Sequence, residues 1–76
     1  MSIRLRKDRQ QLLMKSLRDG RLEAGLRQVD VAEALGRPQS YVAKIESGER
    51  SVDFIEVLDI CRVIRLDPVQ LVEALR

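Results

Sequence analysis

The chain has 76 residues, 45% of them hydrophobic and 34% charged, with a formal net charge of +2; this length allows one compact domain, and this composition excludes a disordered chain. One cysteine and no histidine exclude an internal disulfide and a Cys/His zinc cluster. No apolar run is long enough for a membrane span, and the start lacks the apolar region of a signal peptide, so we expect a cytoplasmic protein without a metal or a cofactor.

The charge is distributed unevenly along the sequence. Residues 1–27 contain eight basic and three acidic residues, whereas residues 51–76 contain three basic and five acidic residues. This asymmetry favours contact between a polyanion and one end of the domain, although a solvated helix face gives the same pattern. Four basic residues near the start are open to two interpretations, a flexible arm on DNA or a solvated tail: Arg4, Arg6, Lys7 and Arg9.

Apolar residues at helical spacing predict a series of short helices and no strand. The first helix is expected over about residues 9–24, with Asp8 as its N-cap and Gly25 as the residue that ends it. Gly20 lies inside this helix and is expected to weaken it by about 1 kcal/mol relative to alanine. The second helix is predicted at 28–35 and the third at 39–46, with Gly36 opening the turn between them.

Two further helices complete the predicted fold. The fourth covers about residues 53–64, where Asp53 and Glu56 have the spacing of a capping box and Phe54 is expected on the buried side with Cys61. The fifth covers about residues 68–75, with Asp67 as N-cap and Pro68 at the first helical position. Five short helices with short connections predict a compact all-α domain.

The stretch 28–48 carries the strongest functional signal. Ala32 is small where the second and third helices would cross, and Gly36 permits the positive φ of a sharp turn. This spacing is typical of a DNA-binding helix-turn-helix, although an ordinary corner between two helices has it too. The outward face of the third helix favours DNA, because glutamine, serine and lysine bind base edges and phosphates. That face presents Gln39, Ser40, Ala43 and Lys44.

The short motifs of this region, in their order, resemble the Cro/CI-type (XRE) helix-turn-helix family. They are Leu-Arg at 17–18, Gly-Leu-Arg-Gln at 25–28, Val-Ala at 31–32, Leu-Gly at 35–36 and Lys-Ile-Glu-Ser-Gly at 44–48, and the similarity covers about residues 13–68. The resemblance implies a single lambda-repressor-like DNA-binding domain over residues 1–76, with its helix-turn-helix at about 28–47. Arg65 stands where the family often has glycine, which leaves the end of the fourth helix open.

Roles for individual residues follow from the same resemblance. It implies base contacts by Gln39, Ser40 and Lys44, with Ala43 placed to meet a thymine methyl group. It implies phosphate contacts, which set register on DNA, by Gln28, Tyr41, Arg50 and Ser51. Arg37 replaces the small apolar residue usual at its position, and we expect it to add a phosphate contact. The resemblance also implies a structural ion pair between Arg21 and Glu46.

The fifth helix is apolar on two sides, although a terminal helix needs only one buried face. The second apolar face predicts a homodimer that places two recognition helices about 34 Å apart on a palindromic operator. The alternative is that the helix is wedged into the core from both sides. The candidate interface residues are Val69, Leu71, Val72 and Leu75.

These features predict a sequence-specific regulator of transcription, a repressor in its simplest form, that binds double-stranded DNA as a homodimer. The second hypothesis is a protein-interaction module with the same fold, such as an antitoxin that binds a protein partner. We expect no enzymatic activity, because the sequence has no histidine, no metal-ligand cluster and no glycine loop of the phosphate-binding type.

Overall fold

The computed structural model describes residues 3–76, with side chains from residue 6 onward. Five helices follow in chain order: α1 (Ile3–Glu23), α2 (Gln28–Leu35), α3 (Gln39–Ser47), α4 (Phe54–Ile64) and α5 (Pro68–Leu75). No strand occurs within residues 3–76, so the all-α prediction is confirmed. None of these helices is both long and apolar enough to cross a membrane.

Helix α1 is longer than predicted, because it is already helical at Ile3. The prediction that Asp8 caps this helix is therefore wrong, since Asp8 lies inside it. Arginine, lysine, glutamine and leucine dominate this segment, and all four are strong helix formers that leave the helix uninterrupted. The backbone from Ile3 to Arg9 is thus helical, and both interpretations of its basic residues, an arm on DNA or a solvated tail, stay predictions.

The starts of α4 and α5 follow the predicted capping chemistry. The Asp53 carboxylate accepts a hydrogen bond from the Glu56 backbone N–H at 2.7 Å, and the Glu56 carboxylate accepts one from the Asp53 N–H at 3.0 Å. The Asp67 carboxylate accepts from the Val69 N–H at 2.9 Å, with Pro68 at the first helical position. Each cap satisfies backbone donors that the first turn of a helix leaves free.

The core lies where α2 and α3 pack together against α1 and α4, with α5 closing one side of α1. Cys61 is 1% exposed, and burial raises the pKa of its thiol, so this residue fills space in the core as expected. The fully buried apolar residues are Leu17, Val31, Ala32, Val42, Ile45, Val57, Ile60, Cys61, Ile64 and Leu71.

Gly20 and Arg65 both mark the junction between α1 and the end of α4. A Cβ atom on the buried Gly20 would lie 2.9 Å from Ile64 Cδ1, so glycine lets the two helices approach closely. Helix α4 ends at Ile64, and Arg65 adopts the left-handed conformation with φ of 57°. Arg65 is the one residue other than glycine with positive φ in the described chain, at the position where the related family often has glycine.

Candidate nucleic-acid interface

The turn between α2 and α3 sets the direction of α3. Gly36 is left-handed with φ of 67°, and the Arg37 N–H donates to the Ala32 carbonyl at 2.9 Å. Val31 and Ala32 on α2 are each 1% exposed, and Val42 and Ile45 form the buried side of α3. Helix α3 therefore rests on α2 along its apolar side and presents its polar side outward.

The four predicted base-contact residues lie together on the outward side of α3, as their helical spacing requires. Gln39, Ser40 and Lys44 are exposed, whereas Ala43 is half-buried between them. Among the residues with described side chains, none forms an ion pair with Lys44, so its ammonium group is available to an anion. These four residues form the surface that we call the recognition face.

A buried ion pair connects the end of α3 to α1. Arg21 Nε and Nη2 donate to the two Glu46 carboxylate oxygens at 2.6 and 3.0 Å, and Arg21 Nη1 donates to the Leu26 carbonyl at 2.8 Å. The two side chains are 10% and 8% exposed, and the hydrogen bond to Glu46 raises the pKa of Arg21. This paired geometry satisfies both charged groups, which burial would otherwise penalise strongly.

Gln28 extends this ion pair toward the recognition face. Its Nε2 donates to Glu46 Oε1 at 3.0 Å, and its Oε1 accepts from Gln39 Nε2 at 3.4 Å. The predicted phosphate contact and a predicted base contact are thus joined by a hydrogen bond. Nothing in the linear sequence signalled this link, because the partners are 18 and 11 residues from Gln28.

Glu56 makes tertiary contacts besides its predicted part in the cap of α4. Its carboxylate accepts from the Tyr41 hydroxyl at 2.8 Å and from Arg50 Nη2 at 2.9 Å, besides the Asp53 backbone N–H. Hydrogen bonds from Arg50, Asp53 and Tyr41 lower the pKa of Glu56 to about 2. The Tyr41 hydroxyl therefore donates its proton to Glu56 in this structure, whereas the predicted contact would have it donate to a DNA phosphate.

The Tyr41 ring instead supports two guanidinium groups. Arg37 Cζ lies 4.8 Å and Arg50 Cζ 4.7 Å from the ring centroid, within cation–π distance. Arg37 and Ser51 are exposed, and Arg50 is half-buried with its pKa raised by Glu56. The predicted phosphate contacts other than Gln28 thus lie at the start of α3 and just beyond its end.

The outer side of α5 is apolar and exposed. Val69 and Val72 are 64% and 54% exposed, but Leu71 is 4% exposed and belongs to the core, which corrects its assignment to the interface. Leu75 is half-buried. The expectation that Phe54 is buried is also wrong, since it is 68% exposed beside Val69 and Val72 on a groove of about 590 Å³. We call Phe54, Val69 and Val72 the apolar face.

Comparison with known proteins places these features in a family. A family model described as a helix-turn-helix domain matches residues 13–75, which is most of the chain. The structure is similar to that of an XRE-family like protein from Pseudomonas syringae pv. tomato str. DC3000, with a TM-score of 0.88, 44% sequence identity and coverage of 92% of this chain and 85% of that one. No curated protein matches the chain. The chain therefore belongs to the XRE-type (Cro/CI-like) helix-turn-helix family.

Proposed function

We propose that this protein is a sequence-specific, non-enzymatic regulator of transcription that binds double-stranded DNA through the major groove. One observation carries the proposal: Gln39, Ser40 and Lys44 are exposed together on the outward side of α3. Their donors and acceptors match those of base edges, and a free ammonium group suits guanine or a phosphate. The buried ion pair of Arg21 and Glu46 holds this helix at a fixed angle, as readout of bases requires.

Phosphate contacts would surround the base contacts. Gln28 lies at the start of α2, Arg37 at the turn, and Arg50 and Ser51 in the loop after α3. In this proposal Tyr41 acts mainly through its ring, which positions the guanidinium groups of Arg37 and Arg50. Such contacts set register without reading sequence, so they complement the recognition face.

A homodimer is the second part of the proposal. The apolar face exposes Phe54, Val69 and Val72, and Ile55, the next residue of α4, is 63% exposed. Burying these side chains against a second copy would stabilise a domain of only 76 residues. A two-fold dimer would read a palindromic operator with two recognition helices about 34 Å apart. We place the protein in the cytoplasm in this proposal. Its simplest regulatory effect there would be repression of transcription from the bound operator.

The same apolar face also favours the second candidate function, a module that binds another protein in the manner of an antitoxin. An exposed apolar surface marks a protein interface without identifying its occupant. The oligomeric state of the purified protein separates the two candidates, because a homodimer covers this face and a monomer leaves it open to a different protein.

Selection of bound sites from random duplex DNA at a fixed salt concentration tests whether the protein binds a specific sequence. The wild type should enrich an inverted repeat with half-sites about 10 base pairs apart. The variant Gln39→Ala/Lys44→Ala should lose this enrichment, because each good base contact contributes about 1–3 kcal/mol of discrimination. Both side chains are exposed, so the variant should keep the unfolding free energy of the wild type.

A matched control is Lys15→Ala, which also removes an exposed charge but lies on α1 in a pair with Asp19. It should leave the enriched sequence unchanged. Weak, salt-sensitive binding by the wild type without any enriched sequence would contradict the proposal, since it is the behaviour of non-specific phosphate contacts alone.

A further inference from the structure

The N-terminal part of α1 lies outside the region that matches the family model. The match begins at residue 13, whereas α1 is already helical at Ile3. Ten further helical residues extend the helix by about 15 Å at 1.5 Å per residue. We call residues 3–12 the α1 extension.

The α1 extension is fixed on one side by α5. Arg9 Nε donates to the Leu75 carbonyl at 3.0 Å, and Arg6 and Leu13 line a small groove beside Leu75. At 3.6 residues per turn, Lys7 and Gln11 lie further around the helix than Arg6 and Leu13, and Gln10 borders both the groove beside Leu75 and the side of Lys7 and Gln11. Lys7, Gln10 and Gln11 line the space between α1 and the loop that follows α3.

A cleft of about 310 Å³, with polar and apolar lining in similar measure and Met14 among its lining residues, lies between the α1 extension and this loop. Its polar lining consists of Lys7, Gln10 and Gln11 from α1 and Ser47, Arg50 and Ser51 from the loop side. No acidic side chain of the described residues lines it, although Glu49 belongs to the same loop. In the part of the chain with described side chains, Lys7 forms no ion pair.

We propose that this cleft binds one backbone phosphate of the DNA strand that passes the loop, with Lys7 as its charged contact. A phosphodiester suits the lining, which offers an ammonium group, carboxamide N–H groups and the Ser51 hydroxyl to an anion, whereas the Ser47 hydroxyl donates to the Lys44 carbonyl. The loop side of the cleft is continuous with Arg50 and Ser51, the phosphate contacts of the proposed function, on which this inference rests. The α1 extension would thereby lengthen the backbone contact without adding sequence readout.

The salt dependence of operator affinity tests this contact. On the operator selected with the wild type, Lys7→Ala should weaken binding about three- to tenfold near 0.1 M salt and reduce the slope of log K against log salt concentration by about 0.9. The enriched sequence should not change, because a phosphate contact weakens binding uniformly across sequences. The matched control, Arg18→Ala, removes another exposed positive charge of α1 outside the cleft and should preserve the slope.

Replacing single phosphates of the operator by neutral methylphosphonates locates the contact. Replacement of the phosphate that Lys7 contacts should weaken operator binding by the wild type but should not weaken binding by Lys7→Ala any further. An unchanged slope for Lys7→Ala, or equal effects of every replacement on both proteins, would overturn the proposal while leaving specific binding by the wild type intact. Absence of any enriched operator would instead show that the proposed function itself fails.

Discussion

The recognition face and the apolar face of this small domain are built on different physical terms. The recognition face is connected to the scaffold by polar contacts, which run from Arg21 through Glu46 and Gln28 to Gln39. The apolar face exposes Phe54, Val69 and Val72 without comparable polar connections in the described chain. Hydrogen bonds to base edges need fixed directions, whereas apolar burial is non-directional and scales with area.

The largest expected effect comes from breaking the support of the recognition face. Glu46→Ala leaves the Arg21 guanidinium buried without its carboxylate, and the free energy of unfolding should fall by about 3–5 kcal/mol. Urea denaturation followed by circular dichroism measures this loss. The exposed pair of Lys15 and Asp19 provides the control, because Lys15→Ala should cost less than about 1 kcal/mol.

The double variant Arg21→Met/Glu46→Leu sharpens this test. Replacing a buried pair by apolar side chains is often neutral or stabilising, so the double variant should recover most of the stability that Glu46→Ala loses. Equal losses in the two variants would contradict the assignment of the effect to an uncompensated buried charge.

The second largest expected effect is on dimerisation, which should depend on the apolar face and not on the recognition face. Phe54→Ser/Val69→Ser removes side chains that are 68% and 64% exposed in the monomer, so the monomer should stay folded. A homodimer that buries them should dissociate at least about 100-fold more readily, since each buried side chain contributes roughly 1.5–3 kcal/mol. Sedimentation equilibrium measures this change.

Operator binding completes this test. The double variant should lose affinity for the palindrome but retain weak, salt-sensitive binding to any duplex. A wild type that sediments as a monomer at all concentrations would contradict the homodimer and favour a different protein partner for the apolar face.

The third effect concerns Glu56, which joins the start of α4 to Tyr41 and Arg50. Its folded pKa of about 2 lies below the ordinary value of 4.5, so its stabilisation is complete above about pH 4.5 and disappears as the pH falls toward 2. We expect a loss of about 1–2 kcal/mol over this range, less than the full shift implies, because water screens a partly exposed pair.

Urea denaturation at several pH values should show this loss in the wild type. Glutamine does not titrate, so the free energy of unfolding of Glu56→Gln should fall less between pH 5 and pH 2 than that of the wild type. The difference between the two proteins should be about 1–2 kcal/mol. Parallel pH profiles of the two proteins would contradict the assignment of the acid sensitivity to Glu56.

The smallest effect concerns Arg65, where α4 ends and the chain turns toward α5. A left-handed conformation costs a residue other than glycine about 1–2 kcal/mol, and the greater flexibility of glycine in the unfolded chain cancels part of the gain. Arg65→Gly should therefore raise stability by about 0.5–1 kcal/mol and the melting temperature by about 2–8 °C. Arg65→Ala keeps the Cβ atom and should change little, so an equal gain in both variants would contradict this explanation.

Most of the fold was predictable because its signals are local. Gly36 ends α2, Asp53 and Glu56 cap α4, and Asp67 with Pro68 starts α5, and each signal acts within a few residues. The predicted start of α1 was wrong because Asp8, taken with its nearest neighbours alone, has the features of an N-cap. Continuous helix propensity on both sides overrides such a local signal.

Helical periodicity and turn chemistry are local, so they were enough to predict the five helices, the helix-turn-helix and the exposure of Gln39, Ser40 and Lys44. The contacts that join distant segments became visible in the three-dimensional structure alone. Gln28 is hydrogen-bonded to Glu46, and Tyr41 to Glu56. Leu71, which was expected at the interface, is buried, and Phe54, which was expected in the core, is exposed. Two apolar sides of a short helix are equivalent in sequence, and only packing against the rest of the core decides which one is buried.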